Sequence, residues 1–348
     1  MDAVVLSEQS DPVAPSIQFR SDWPEPGPPG RGEVVIRTIA SALNHMDLWV
    51  GRGVPGLELT YPRISGCDAC GTVELAGPDV DPAWIGRRVI VNAAVEIDRP
   101  VRPDDGTQST LAPEYELIGE HHHGMHAEQF IAPAANLAPV PDDCDPFEAA
   151  AYGLTALTAY SMMITKGDLR PGQTVLITGI GGGVATIAMK LALHLGCRVI
   201  VTSRSAAKVD AARALGAHEG IIDAGDDWSK QVRQLTNKRG VDMAVDSVGK
   251  ATHLSCIKSL ARGGAYVTPG CTTGPDAQTD LARIFWNQLR VLGSTMGTND
   301  EFREAAALFA GGAVRPIVDR VFSAKDAADA WARLEAGEQM GKIVLDWR

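Results

Sequence analysis

Between two apolar runs the chain carries Gly179-Ile180-Gly181-Gly182-Gly183-Val184-Ala185. Glycines so spaced let a backbone turn tightly and approach a diphosphate, whose charge is favoured at the N-terminus of a following helix. Alone, such a run also marks an ordinary tight turn; a strand before it and a helix after it are what point to a dinucleotide. The next apolar run ends Val201-Thr202-Ser203-Arg204-Ser205, with Lys208 one turn on. Sites for NAD usually place Asp or Glu there to hold the ribose hydroxyls. No carboxylate stands there to repel a 2′-phosphate, and Ser203, Arg204 and Lys208 are suited to bind one. NADPH (NADP+ when oxidised) is therefore the expected cofactor; the plainer reading makes Arg204 a solvated surface charge.

Two clusters invite a metal or redox reading. Cys67 and Cys70 form a C-x-x-C, but no second pair or histidine lies at zinc-finger spacing, so two small core residues explain them as well. His121, His122, His123 and His126 crowd one stretch. Consecutive residues point in divergent directions, so two or three at most can converge on an ion, and a solvated loop is the simpler expectation.

The elements around these residues change character along the chain. Glu33–Ala40 reads as a strand after the Pro/Gly-rich stretch 24–32, and Gly71–Leu75 and Arg88–Val91 are further short strands. Short strands without intervening helices suggest a small β-module. From Pro146 the texture shifts: an alanine-rich helical run Phe147–Ile164, the strand Gln173–Thr178, a helix to Leu195, the strand Cys197–Ser203 and the helix Ala206–Leu215. Met243–Asp246, Ala265–Thr268 and Val291–Ser294 are later strands, and this alternation implies a parallel, doubly wound sheet. Ala324–Ala336 reads as helix and Lys342–Asp346 as a final strand returning to the β-module.

With 348 residues the chain is long enough for two domains, and a net charge of −11 argues against a nucleic-acid footprint. Met1–Ser10 lacks the basic flank and apolar core of a secretory signal. The most apolar helical stretch, Val184–Leu195, is broken by Lys190 and His194 and falls short of the roughly 20 residues of a membrane span. Scattered cysteines fit reduced thiols, and the expected location is the cytoplasm, without membrane or nucleic-acid partners.

The chain resembles the medium-chain dehydrogenase/reductase superfamily of zinc alcohol dehydrogenases and quinone oxidoreductases, over nearly its whole length. The segments that carry the resemblance are Leu43-Asn44-His45-Met46-Asp47, Gly66-Cys67-Asp68-Ala69-Cys70-Gly71 with Gly77 and Val80, and Leu157-Thr158-Ala159-Tyr160. The glycine loop, Leu215-Gly216-Ala217 and the closing Gly341-Lys342-Ile343-Val344 complete it. The implied fold class is α/β: a GroES-like catalytic module (1–150 with 298–348) and a Rossmann doubly wound sheet (151–297), with substrate in the cleft between them. The resemblance also implies a homodimer or homotetramer paired through the Rossmann sheet edge.

The departures bear on mechanism. The superfamily's catalytic zinc is held by a cysteine, a histidine and a third Cys, His or acidic residue, with one position open. The matching positions are Asn44, Cys67 and a point near Leu154, with Asp68 where the motif has Glu. The structural-zinc lobe, usually four cysteines, falls between Ala94 and Ile118, where there are none. Neither zinc is expected. Without that Lewis acid the easier chemistry is hydride addition to an activated C=C, such as an enone, or to a quinone. The resemblance gives Asn44, His45, Asp47, Cys67, Asp68 and Thr158 as catalytic candidates: Asn44 donating to the substrate oxygen, Asp47 bracing that segment, Asp68 holding a water, and His45 or His126 as acid. Asn44 as a turn-capping amide and Asp47 as a helix N-terminal charge are equally open. For the cofactor it gives Thr158, Gly179, Gly181, Gly182, Gly183, Val184, Ser203, Arg204, Lys208, Gly270, Cys271, Ser294, Thr295, Met296 and Lys342. Two rivals remain: an alcohol or aldehyde dehydrogenase with zinc on Cys67, Asp68 and a histidine, and a nucleotide-binding or redox-neutral protein on the same fold.

Overall fold

The computed structural model describes residues 1–95, 109–111 and 115–348. These divide into two compact units, Met1–Leu154 with Gly297–Arg348, and Thr155–Met296.

The first unit is the β-module. Its seven-stranded sheet runs Leu137–Pro139 (β10), Arg88–Val91 (β6), Ala69–Ala76 (β5), Glu33–Ala42 (β3), Lys342–Asp346 (β18) and Val318–Ser323 (β17), with Gln129–Pro133 (β9) also on β3. A three-stranded sheet orders Ile17–Arg20 (β2), Ala3–Leu6 (β1) and Arg63–Ile64 (β4), and Ala94–Val95 (β7) pairs with Glu116–Leu117 (β8). The last strand does return to the opening module: β18 pairs antiparallel with β3, Val344 opposite Ala42. Gly341 makes that return possible, because its φ of +103 is left-handed and a Cβ there would lie 2.1 Å from the Ile317 carbonyl oxygen. Leu43, Val50, Trp331, Ile343 and Leu345 share one buried cluster that fixes β18 against the helices His45–Arg52 (α1) and Ala327–Glu335 (α10). The helix Asn299–Ala310 (α9), with Thr298 at its N-cap, also belongs to this unit.

The alanine-rich run is not one helix. It breaks into Pro146–Ala150 (α2), Gly153–Tyr160 (α3) and a π-helical turn, Ser161–Lys166. The break has a local cause. Tyr152 is buried with its hydroxyl on the Ala305 carbonyl, and the Leu154 amide is taken by the Asp68 side chain at 2.6 Å, so the chain restarts a helix there. Alanine content alone gives no sign of either contact.

The second unit is a six-stranded, all-parallel sheet in the order Glu219–Ile222 (β13), Arg198–Ser203 (β12), Thr174–Ile177 (β11), Val241–Val245 (β14), Leu260–Thr268 (β15), Arg290–Gly293 (β16). Gly183–His194 (α4), Ala206–Ala214 (α5), Ser229–Leu235 (α6), His253–Ser259 (α7) and Leu281–Asn287 (α8) connect the strands. The β11 and β12 runs are apolar on both faces, as a sheet covered on two sides requires, and Val175, Leu176, Val199 and Ile200 are fully buried. The order departs from sequence order between β11 and β14, the switch point where such sheets bind ligands. Among the described residues no helix is long and apolar enough to cross a membrane.

Candidate functional site

In the first unit the site candidates converge on a buried ion pair. Lys342 Nζ donates to Asp68 Oδ2 at 2.9 Å and to Asn44 Oδ1 at 2.6 Å, with lysine and carboxylate side chains 3% and 1% exposed. The Asn44 amide also donates to Asp68 Oδ2 at 2.9 Å, so both ends of its side chain are committed. Asp68 Oδ1 meanwhile accepts the Leu154 amide at the start of α3. A carboxylate at a helix N-terminus is favourably placed against the helix dipole. Lys342, assigned to the cofactor by sequence, is thus brought together with the catalytic candidates of its own unit.

Asp47 sits as a helix N-terminal charge: it is the third residue of α1, and its carboxylate accepts the backbone amide of the N-cap residue Asn44 at 2.7 Å. Its other oxygen faces His126 Nε2 at 3.4 Å, within ion-pair reach though not a hydrogen bond, while His126 Nδ1 lies 2.8 Å from Ser41 Oγ. Burial pushes the Asp47 carboxyl up, but the His126 ring and hydrogen bonds from Asn44 and Ser65 outweigh it and hold the group below its ordinary range. His126 is enclosed, its ring edge-on to Trp331 at 5.2 Å, whereas His45, the first residue of α1, is half-buried.

The histidine cluster separates as chain geometry requires. His121 accepts the Leu117 amide, His122 pairs with Glu116, His123 accepts the Ile64 amide, and His126 points into the core. Among the described residues no three His, Cys, Asp or Glu side chains come together as a metal site. Cys67 adjoins Asp68, but burial and the Asp47 and Asp68 charges push its thiol well up, towards the neutral form. The donor set at the three zinc positions, an amide, a neutral thiol and a leucine, with a lysine ammonium on the adjoining carboxylate, does not fit a zinc ion. Much of the lobe where a structural zinc was considered, 96–108 and 112–114, lies outside the described residues.

In the second unit the candidates line the C-terminal ends of the parallel strands. The loop after β11 has Gly179 and Gly181 at φ of +61 and +118, and the Ile180 amide bonds to the Thr202 carbonyl at the end of β12. Gly182 caps α4 with ordinary dihedrals, and a Cβ there would meet nothing closer than the Gly179 oxygen at 3.7 Å. No internal contact demands glycine at 182, so the space over it is open to an outside group. The amides of Gly183, Val184 and Ala185, in the first turn of α4, have no acceptor inside the helix. Lys208 lies against this loop, its Cδ 2.5 Å from where a Gly181 Cβ would sit. Ser203 is nearly buried, its Oγ accepting the Ser205 amide, and Arg204 beside it is exposed. The residues present fit a dinucleotide.

Further along the same edge, Gly270 follows β15 with its carbonyl on Thr268 Oγ1, and Cys271 is exposed. The Ser294 amide bonds to the Thr268 carbonyl, which sets Ser294-Thr295-Met296 beside Gly270-Cys271. Thr158 Oγ1 contacts Met296 Sδ at 3.9 Å.

Sequence reasoning missed Asp246. Fully buried after β14, it accepts from Thr178 Oγ1 (2.5 Å), Thr252 Oγ1 (2.8 Å), the Val248 amide (3.0 Å) and Tyr266 OH (2.8 Å), tying the end of β11 to β15. The signal was a carboxylate directly after an apolar strand, where an unpaired charge is costly.

A GroES-like β-module joined to a parallel dinucleotide-type sheet defines a dehydrogenase architecture. Family models agree: the alcohol dehydrogenase GroES-like domain matches residues 30–142 and the zinc-binding dehydrogenase domain residues 183–311. A zinc-type alcohol dehydrogenase-like protein of Leptosphaeria maculans is 30% identical over 337 residues, 91% of each chain. A solved NAD-dependent alcohol dehydrogenase is 37% identical, covering 100% of both chains with a TM-score of 0.93. Two mycobacterial structures are each 29% identical: a protein complexed with NADPH (99% of this chain, 100% of that, TM-score 0.83) and a quinone oxidoreductase (99% of both, TM-score 0.80). The chain belongs to the medium-chain dehydrogenase/reductase superfamily and is one of its oxidoreductases.

The depressed Asp47 carboxyl contributes stability that is present above the unfolded carboxylate pKa of about 3.9 and is lost as pH falls through and below it. In melts between pH 3 and 7 the Asp47→Asn variant is expected to lose less of its Tm on acidification than wild type. Parallel acid limbs would remove Asp47 from that role.

Proposed function

We propose that this protein is a zinc-independent, NADPH-dependent reductase of an activated C=C, such as an enone, or of a quinone. The observation that carries the reading is the Lys342–Asp68–Asn44 cluster, which ties Asn44, at the first of the matched zinc positions, to a buried cation of the chain itself. A conjugated acceptor spreads developing charge over its own framework, so positioned hydrogen-bond donors suffice.

NADPH, when bound, supplies the hydride. The first-turn amides after Gly179, Gly181 and Gly182, those of Gly183 and Val184, hold its diphosphate, and Ser203, Arg204 and Lys208 hold the 2′-phosphate. That NADPH is preferred over NADH is supported by the absence of a carboxylate after β12 and by the NADPH complex of a relative. Thr158, Gly270, Cys271, Ser294, Thr295 and Met296 line the nicotinamide. On an enone, the bound cofactor would supply hydride to the β-carbon, and what the chain must provide is a donor for the enolate charge that would gather on the carbonyl oxygen and a proton for the α-carbon. Asn44, its amide orientation fixed by Lys342 and Asp68, would turn its second Nδ2 hydrogen to that oxygen from the long contacts it makes with the Ala42 carbonyl (3.4 Å) and Cys67 Sγ (3.6 Å). His45, half-buried, is better placed to exchange the proton than the enclosed His126.

The proposed assembly is a homodimer through the free edge of the Rossmann sheet. β16 is the terminal strand with Val291 48% exposed, and α8 before it exposes Phe285 and Trp286 at 69% and 70%. An open apolar edge invites pairing. Six free cysteines support a reducing compartment, the cytoplasm.

Purified protein is expected to oxidise NADPH against a panel of enones and quinones at a rate unchanged by chelator. Chelator-sensitive turnover of alcohols would overturn the reading. Arg204→Ala should weaken NADPH binding about tenfold or more while sparing NADH; equal losses would reassign the cofactor. Val291→Lys should move the protein to monomer in sedimentation at micromolar concentration, and an unchanged assembly would exclude this edge.

A further inference from the structure

We propose that Lys166 is a positioning residue for the nicotinamide-lining segment Ser294–Met296, acting from the π-helical turn that ends on it. The inference rests on the reading of that segment as the nicotinamide end of the cofactor site.

Three observations within one unit carry it. Lys166 Nζ donates to Ser161 Oγ and to Ser294 Oγ, each at 3.0 Å. Residues five apart lie about 140° around an α-helix of 3.6 residues per turn, too far for this contact. The wider turn over Ser161–Lys166 brings them onto one face and turns the ammonium towards Ser294. The same turn is held to the start of β16 by Arg290 Nη2 on the Gly167 carbonyl at 2.8 Å, so the strand is fastened at both ends.

The fastened segment is strained. Met296 has a φ of +46, a left-handed conformation that is unfavourable for a long side chain and persists only where neighbours impose it. Its neighbours are Thr158, touching the sulfur, and Ser294, two residues earlier, under Lys166. A π-turn and a left-handed methionine are two irregularities of separate segments, and the Lys166–Ser294 bond joins them. Without it the segment loses the tether that opposes relaxation of Met296. Because the ammonium bears on Ser294, the proposed effect falls on the nicotinamide half of the site.

The test titrates the full chain with two probes, NADPH and adenosine 2′,5′-bisphosphate, which carries the phosphates but no nicotinamide. Lys166→Met is expected to weaken NADPH about tenfold, the scale of a lost charge-assisted hydrogen bond, and leave the bisphosphate unchanged. Ser294→Ala should do the same, the double variant should be no weaker than either single, and Lys166→Arg should recover part of the loss. Equal losses for both probes, or unaltered NADPH affinity, would overturn the proposal. Wild-type protein that binds the bisphosphate and NADPH equally tightly, or binds neither, would instead overturn the nicotinamide reading beneath it.

Discussion

The constraint on which the first unit depends is the satisfaction of one buried positive charge. Removing an ammonium and a carboxylate from water costs several kcal/mol for each, recovered only where every remaining polar atom finds a partner. Here Lys342, Asp68, Asn44 and the Leu154 amide complete one another's hydrogen bonds. Taking away Lys342 or Asp68 leaves the other charge uncompensated, a loss of about 3–5 kcal/mol. The cluster therefore fixes four segments at once: the turn after β3, the loop before β5, the start of α3 and the first residue of β18.

That arrangement also bears on the proposed chemistry. Of Asn44, Cys67 and Leu154, matched by resemblance to the superfamily's zinc-ligand positions, the first is locked to a lysine and the second is a thiol pushed towards its neutral form by burial and two nearby carboxylates. The Lys342 ammonium beside Asn44 is part of the chain and already hydrogen-bonded. On the function proposed above, such a site would suit an acceptor that delocalises its own charge.

The second unit solves a different problem with the same economy. Its strands all point their C-terminal ends one way, and left-handed Gly179, Gly181 and Met296, buried Asp246 and the π-turn beside Ser294 lie towards that edge. Asp246 ties β11 to β15 so that the phosphate loop and the loops beyond the switch point share one frame. A rigid frame under a mobile ligand is what hydride transfer demands, since the donor and acceptor carbons must be held in line.

The sequence by itself determined the parallel sheet, the glycine loop between a strand and a helix, the return of β18 and the residue types at 44, 67 and 154. Each is a local pattern: alternation, apolar runs, a glycine spacing, or a residue type at a matched position. It misread the Phe147–Ile164 run as continuous helix, since alanine content is silent about Asp68 receiving the Leu154 amide. It gave no sign of the bond from Lys342 to Asp68, nor of the partners that Asp246 and Lys166 find. Only the tertiary structure decided these, because the partner of a buried charge is chosen when distant segments close on each other. Lys342 and Asp68 are 274 residues apart along the chain, a separation that no periodicity records.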